Sequence, residues 1–148
     1  MAGEQSGMKS IFKNGDAPLH VGVYHRIAHP DAMAVYSNEL LRQQWSKETE
    51  RHENMIIADY YFDDSPVGAE ASPERDRLLA DCRAGKIDVV MVRKMKYLTP
   101  DSRMLLKIIT ELSSLEPPVD MYFTTEQVRS TGPEGAILMQ LLKEGGAA

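Results

Sequence analysis

The six residues Ile87-Asp88-Val89-Val90-Met91-Val92 constrain this 148-residue chain most, because so continuous a run of β-branched and apolar side chains suits a strand covered on both faces. Such strands sit inside parallel sheets flanked by helices, and the rest of the chain supplies the parts. Residues 20–27 form a second apolar, β-branched run that Pro30 and Asp31 break, and residues 55–62 and 119–124 form two more. Helical patterns fill the intervals. Over 32–54 the apolar residues Ala34, Val35, Leu40, Leu41 and Trp45 stand among Gln, Glu, Lys and Arg, predicting a long helix with one buried stripe. Ser72 is placed to N-cap the next helix, with Pro73 at its first position, Glu74 in its first turn and Gly85 closing it in the left-handed region. Leu78, Leu79 and Cys82 face its inner side. Thr99-Pro100-Asp101 opens a third helix carrying Met104, Leu105, Ile108, Ile109, Leu112 and Leu115, which Pro117 and Pro118 end. A polar loop over 126–134 and a short amphipathic helix over 136–142 complete the chain.

Strand and helix therefore alternate four times, which predicts an α/β fold: a three-layer sandwich around a mostly parallel central sheet with right-handed crossovers. A site is expected at the carboxyl ends of its strands. With 43% hydrophobic residues the chain fills one core, so residues 20–148 are read as a single domain and residues 1–19 as a disordered leader.

Charge and cysteine content narrow the function classes. The net charge of -5 lacks the basic excess that phosphate-backbone binding leaves in composition, so DNA contact must be local or supplied by another region or partner. The lone Cys82 excludes an internal disulfide and any multi-cysteine metal site, which fits a reducing cytoplasm. No apolar run approaches the roughly 20 residues of a membrane span, and residues 1–13 lack a secretory core. No Walker or Rossmann glycine loop occurs, so no cofactor is expected. No metal is expected either, because the four histidines lack ligand spacing and Glu48, Glu50, Arg51, His52 and Glu53 read as a solvated helix face.

The first strand runs through Val21-Gly22-Val23 into Tyr24-His25-Arg26-Ile27-Ala28. This resembles the start of the catalytic domain of resolvase/invertase-type serine recombinases, where a strand enters a Tyr-x-Arg-x-Ser motif. The resemblance extends in register from about Val21 to Leu142. Ser37-Asn38-Glu39 with Gln43 and Gln44 loosely resembles the family's Ser-Leu-Glu-x-Gln helix segment, and Tyr61-Phe62-Asp63 matches its Tyr-x-Asp strand end. The closest match is Leu79-Ala80-Asp81-Cys82-Arg83-Ala84-Gly85-Lys86-Ile87-Asp88, and Ser130-Thr131-Gly132-Pro133-Glu134-Gly135 resembles the turn before the family's next helix.

The resemblance implies a chemistry: a serine hydroxyl attacks a DNA phosphodiester while arginines clamp the transferring phosphate. This chain departs from it at most of the required positions. The nucleophile position is Ala28, whose methyl group has no lone pair. The family's Gly-x-Ser-Gly has Ser65 and Val67 at its first glycine and serine, ahead of Gly68, and its Arg-Pro pair is Ser72-Pro73. Its Asp-Arg-x-x-Arg motif falls on Lys96-Tyr97-Leu98-Thr99-Pro100, with neither arginine nor the aspartate. Arg26 is the matched arginine that remains, and Lys96 returns charge without the planar fork of a guanidinium. The two are the residual phosphate-binding candidates. Strand cleavage by the family route is expected to fail.

Other residues are candidates for the missing roles. Ser37, Ser65 and His29 are candidate substitute nucleophiles and His25 a second phosphoryl acceptor, yet each has an ordinary place in a helix, turn or strand end. Asp63 and Asp64 could serve acid/base work, Asp63 with His25 in a hydrolase-like reading, but better suit turning the chain at a strand end. Arg93, Lys94, Lys96 and Tyr97 either face DNA phosphates or solvate the strand end. Cys82 reads as a core residue. The sequence thus describes an inactive recombinase-domain homologue that works by association. Its expected partners are DNA, reached through a carboxyl-terminal region beyond Ala148 or through an active relative, and other copies in a homo- or hetero-oligomer. An active enzyme and a protein-interaction module without DNA are the alternatives.

Overall fold

A computed structural model describes residues 18–26, 32–52, 54–63 and 71–146, with backbone alone for 32–38, 145 and 146. Five strands form one sheet in the order β2-β1-β3-β4-β5: β1 Leu19–Arg26, β2 Met55–Asp63, β3 Val89–Val92, β4 Asp120–Phe123 and β5 Val128–Arg129. The first four run parallel and β5 is antiparallel to β4. The helices are α1 Ala32–Glu50, α2 Pro73–Arg83, α3 Met95–Leu98, α4 Ser102–Ser113 and α5 Pro133–Gly146.

The predicted sandwich is the observed one. On one face, Leu19, Val21, Val23, Val89 and Met91 enclose Trp45 of α1. On the other, Tyr24, Val90, Val92, Met121 and Phe123 meet Leu78 and Cys82 of α2, Leu105, Ile109 and Leu112 of α4, and Leu138 of α5. Alternate residues of each strand serve opposite layers, which is why all four residues of β3 are buried. Gly22 is required where α2 crosses β1, since a Cβ there would stand 2.9 Å from Leu78 Cδ1 and 3.2 Å from both Ile87 and Tyr61. Gly85 closes α2 with φ +81°, the left-handed residue the sequence predicts.

Several expectations need correction. Leu40 is 47% exposed, so the buried stripe of α1 runs through half-buried Leu41 and buried Trp45 and Thr49; Leu40, one residue before Leu41, points away from it. Met104 is likewise turned outward, at 39% exposed. The first strand begins at Leu19, itself buried, rather than at residue 20. The 126–134 segment contains β5, and α5 is longer than the predicted 136–142 helix. Asp101 caps α4, accepting from the N–H groups of Arg103 and Met104, while Thr99 Oγ1 accepts from Asp101 N–H. Cys82 is buried against the sheet, and burial pushes its thiol up to about 12, as befits a core residue.

Candidate functional site at the strand ends

β1 delivers Arg26 to the carboxyl edge of the sheet, where it is 5% exposed. Its Nη2 donates to Tyr24 OH at 2.8 Å and to Ser72 Oγ at 2.7 Å, and its Nε donates to the carbonyl of Tyr97 at 3.2 Å. Tyr24 OH in turn donates to Asp63 Oδ2 at 2.6 Å. Burial, reinforced by that hydrogen bond to Asp63, pushes the Tyr24 hydroxyl far above its usual range, so it stays a donor. A cation and a carboxylate are thus joined through a neutral phenol between β1 and β2.

Asp63 is the second hub. It is 2% exposed, and besides Tyr24 it accepts from Glu74 N–H at 2.9 Å and Arg75 N–H at 3.1 Å. Those donors lie in the first turn of α2, where a carboxylate satisfies orphan N–H groups and meets the positive end of the helix dipole. The cap expected from Ser72 therefore comes from Asp63. Ser72 does stand at the N-cap position, but its side chain makes no cap bond, because its hydroxyl is turned to Arg26. Arg75 completes the junction by donating from Nη1 to the carbonyl of Leu98 at 2.8 Å. Through Arg26 and Arg75, α3 is tied to β1 and to α2 by its backbone carbonyls.

His25 faces the other layer, in edge contact with Tyr97 at 5.2 Å and Phe62 at 6.2 Å between ring centroids. Burial, then the Arg93 charge, push its imidazole down to about 4, and its buried Nδ1 has no partner among the described residues. His25 and Asp63 consequently belong to separate environments, and the structure does not assemble them into a hydrolase-like pair. Arg93 lies over the Trp45 ring at 4.7 Å and donates to Gln44, so one member of the basic cluster is partly engaged in packing. Lys96 and Pro100 are exposed.

Ala28, His29, Asp64, Ser65, Val67 and Gly68 lie outside the described residues, as does the side chain of Ser37. Among the described residues, no three His, Cys, Asp or Glu side chains gather as a metal ligand set, and no helix is long and apolar enough to cross a membrane. Sequence reasoning found Arg26, Ser72 and Tyr97 as positions but missed what joins them. Tyr24 and Asp63 are the joining residues, and the motif pair Tyr-x-Arg and Tyr-x-Asp at two adjacent strand ends was the signal for them.

A parallel sheet in the order β2-β1-β3-β4, with an arginine-centred cluster at the ends of β1 and β2, defines a doubly wound α/β domain that carries a polar site at its strand ends. The family model "Resolvase, N terminal domain" matches residues 21–145, so the chain belongs to that family. Solved structures agree on the fold. The N-terminal catalytic domain of TP901-1 integrase is 19% identical, with a TM-score of 0.62 over 84% of this chain and 92% of that one. A resolvase family site-specific recombinase from Streptococcus pneumoniae is 15% identical, with a TM-score of 0.64 over 85% and 86%. The C-terminal catalytic domain of ISC1926 TnpA, an IS607-like serine recombinase, is 13% identical, with a TM-score of 0.54 over 83% and 77%. No curated protein matches the chain.

Proposed function

We propose that this chain is a recombinase catalytic-domain homologue that retains the fold and has lost DNA strand cleavage, acting in site-specific recombination through association with DNA-bound partners in the cytoplasm. The observation that carries the reading is the state of Arg26. The arginine that remains of the matched clamp directs its guanidinium to Tyr24, Ser72 and the Tyr97 carbonyl. A phosphate would have to displace these internal partners from a side chain that is 5% exposed. Ser72, at a matched clamp position, accepts a hydrogen bond from Arg26 instead of supplying a second guanidinium, and being 2% exposed it is no substitute nucleophile. Ala28 offers no attacking atom. Each lost transition-state donor costs about 10²- to 10³-fold in rate, so the combined losses leave no useful cleavage.

The test incubates the full-length protein with a supercoiled plasmid carrying the DNA that adjoins its own gene. Relaxed and linear products and covalent protein–DNA adducts are then assayed. None is expected, and none from Ala28→Ser, which restores a hydroxyl but not the clamps at Ser72, Lys96, Tyr97 and Pro100. A covalent adduct with the native protein would refute the inactive reading. Salt-dependent retention of the same DNA, by this protein alone or with an active relative, separates the DNA-associated role from a plain interaction module.

A further inference from the structure

Among the described residues β2 pairs with β1 alone and so forms an edge of the sheet. Its sequence, Met55-Ile56-Ile57-Ala58-Asp59-Tyr60-Tyr61-Phe62-Asp63, is β-prone and largely apolar and contains neither proline nor glycine. Such a strand is a template for pairing with its own kind. Ile56 adds a large apolar side chain that is 49% exposed. Two features interrupt the edge at its middle. The register with β1 shifts between Val21 and Gly22, which leaves Ala58 as an extra, bulged residue. Immediately beyond the bulge, both backbone groups of Tyr60 are taken by side chains: its N–H donates to Asp59 Oδ1 at 2.7 Å and its carbonyl accepts from Arg77 Nη2 at 3.0 Å.

Arg77 reaches this edge from α2. Its Nη1 donates to Asp59 Oδ2 at 2.8 Å, its Nη2 also donates to Glu74 Oε1 at 2.7 Å, and its guanidinium carbon lies 4.2 Å from the centroid of the Tyr61 ring. The guanidinium is therefore fixed by two carboxylates, a carbonyl and a ring face. None of these contacts serves the Arg26 cluster, and no part of the recombinase reading uses them.

We propose that Arg77 and Asp59 form a strap that closes the β2 edge against strand pairing with a second copy of this chain. An incoming strand would have to detach the guanidinium from its oxygen partners and bury the Asp59 carboxylate beside apolar neighbours, a desolvation that strand pairing does not repay. With both Asp59 and Arg77 removed, Tyr60 presents a free donor and acceptor between the apolar residues Met55-Ile56-Ile57 and Tyr61-Phe62. Two identical edges then meet antiparallel about a two-fold axis, each supplying what the other lacks. The second copy is the fitting occupant because the same β-prone strand stands on both sides.

The test compares the native full chain with the double variant Asp59→Ala/Arg77→Ala by light scattering over a dilution series, with far-UV circular dichroism as the folding control. The double variant, which frees both backbone groups of Tyr60 and leaves no charge beside them, is expected to keep the native spectrum and to rise with concentration toward double the native weight-average mass. Ile56→Lys, which puts a charge back on the same strand, is expected to return the double variant to the native mass. A folded double variant with unchanged mass overturns the proposal, and so does an association that Ile56→Lys does not reverse. Should the double variant fail to fold, Asp59→Ala/Arg77→Met, which keeps an apolar stem against the Tyr61 ring, takes its place under the same two criteria.

Discussion

Replacing Arg26 by methionine removes a cation that is 5% exposed while keeping an unbranched apolar stem of similar length. Three acceptors lose their donor: Tyr24 OH at 2.8 Å, Ser72 Oγ at 2.7 Å and the Tyr97 carbonyl at 3.2 Å. The losses are unequal. Tyr24 still donates to Asp63, and the Ser72 hydroxyl can rotate, but the Tyr97 carbonyl is left facing an apolar side chain. Hydrogen bonds from a charged donor are each worth about 1.5–3 kcal/mol, and an orphaned buried acceptor costs about 1–3 kcal/mol. Release of the cation's own desolvation cost offsets part of that sum. The net expected destabilisation is roughly 2–4 kcal/mol, which at about 4 °C per kcal/mol for a domain of this size lowers Tm by roughly 8–16 °C. Thermal and guanidinium denaturation at neutral pH, followed by far-UV circular dichroism, measure it. An Arg26 kept free to bind phosphate would behave oppositely, since removing a buried functional cation leaves stability unchanged or improved. A loss under about 0.5 kcal/mol would therefore refute the account of Arg26 as an internal tie.

Asp63→Ala strips the first turn of α2 of its cap and Tyr24 of its acceptor, with an expected cost of about 2–3 kcal/mol and faster amide exchange at Glu74 and Arg75; unchanged exchange there would place the cap elsewhere. His25, with its folded value near 4 against an ordinary 6.5, is neutral when folded, so the unfolded chain takes up its proton first as pH falls. Its contribution is complete above pH 6.5 and is lost progressively toward pH 4; His25→Phe should flatten the decline in Tm across that window by an amount on the order of 2 kcal/mol, and an unaltered profile would exclude His25 as the cause. Gly22→Ala forces Leu78, Ile87 and Tyr61 apart at the crossing of α2 and β1 and should cost about 1–3 kcal/mol in denaturant titration, whereas a neutral result would show that α2 can shift away.

The layered fold was legible in the residues because it rests on local periodicity. The continuous apolar run of β3, the three- and four-residue spacing of α4 and the left-handed Gly85 each declare themselves within one short segment. Elements too brief to show a period did not: β5 has two residues and α3 four, and both form where packing against β4 and β1 holds them. Individual side chains within a legible helix also escaped, as Leu40 did, since composition marks a helix as amphipathic but the position of the sheet decides which apolar residue turns inward.

The site divides in the same way. The sequence by itself determined which residue types are available to the site: the Tyr24-x-Arg26 and Tyr61-x-Asp63 patterns at the ends of two apolar runs, and Ser72 ahead of Pro73. It did not determine what they do to one another. Arg26 meets Ser72 across 46 residues and the Tyr97 carbonyl across 71, and no spacing rule reaches that far. Only the tertiary structure decided that Ser72 turns from its helix to the arginine, that Asp63 supplies the cap instead, and that Tyr24 joins the two charges. The physical reason is competition for partners at a buried junction: each donor there must find an acceptor, and only the assembled strand ends determine which acceptors are within reach.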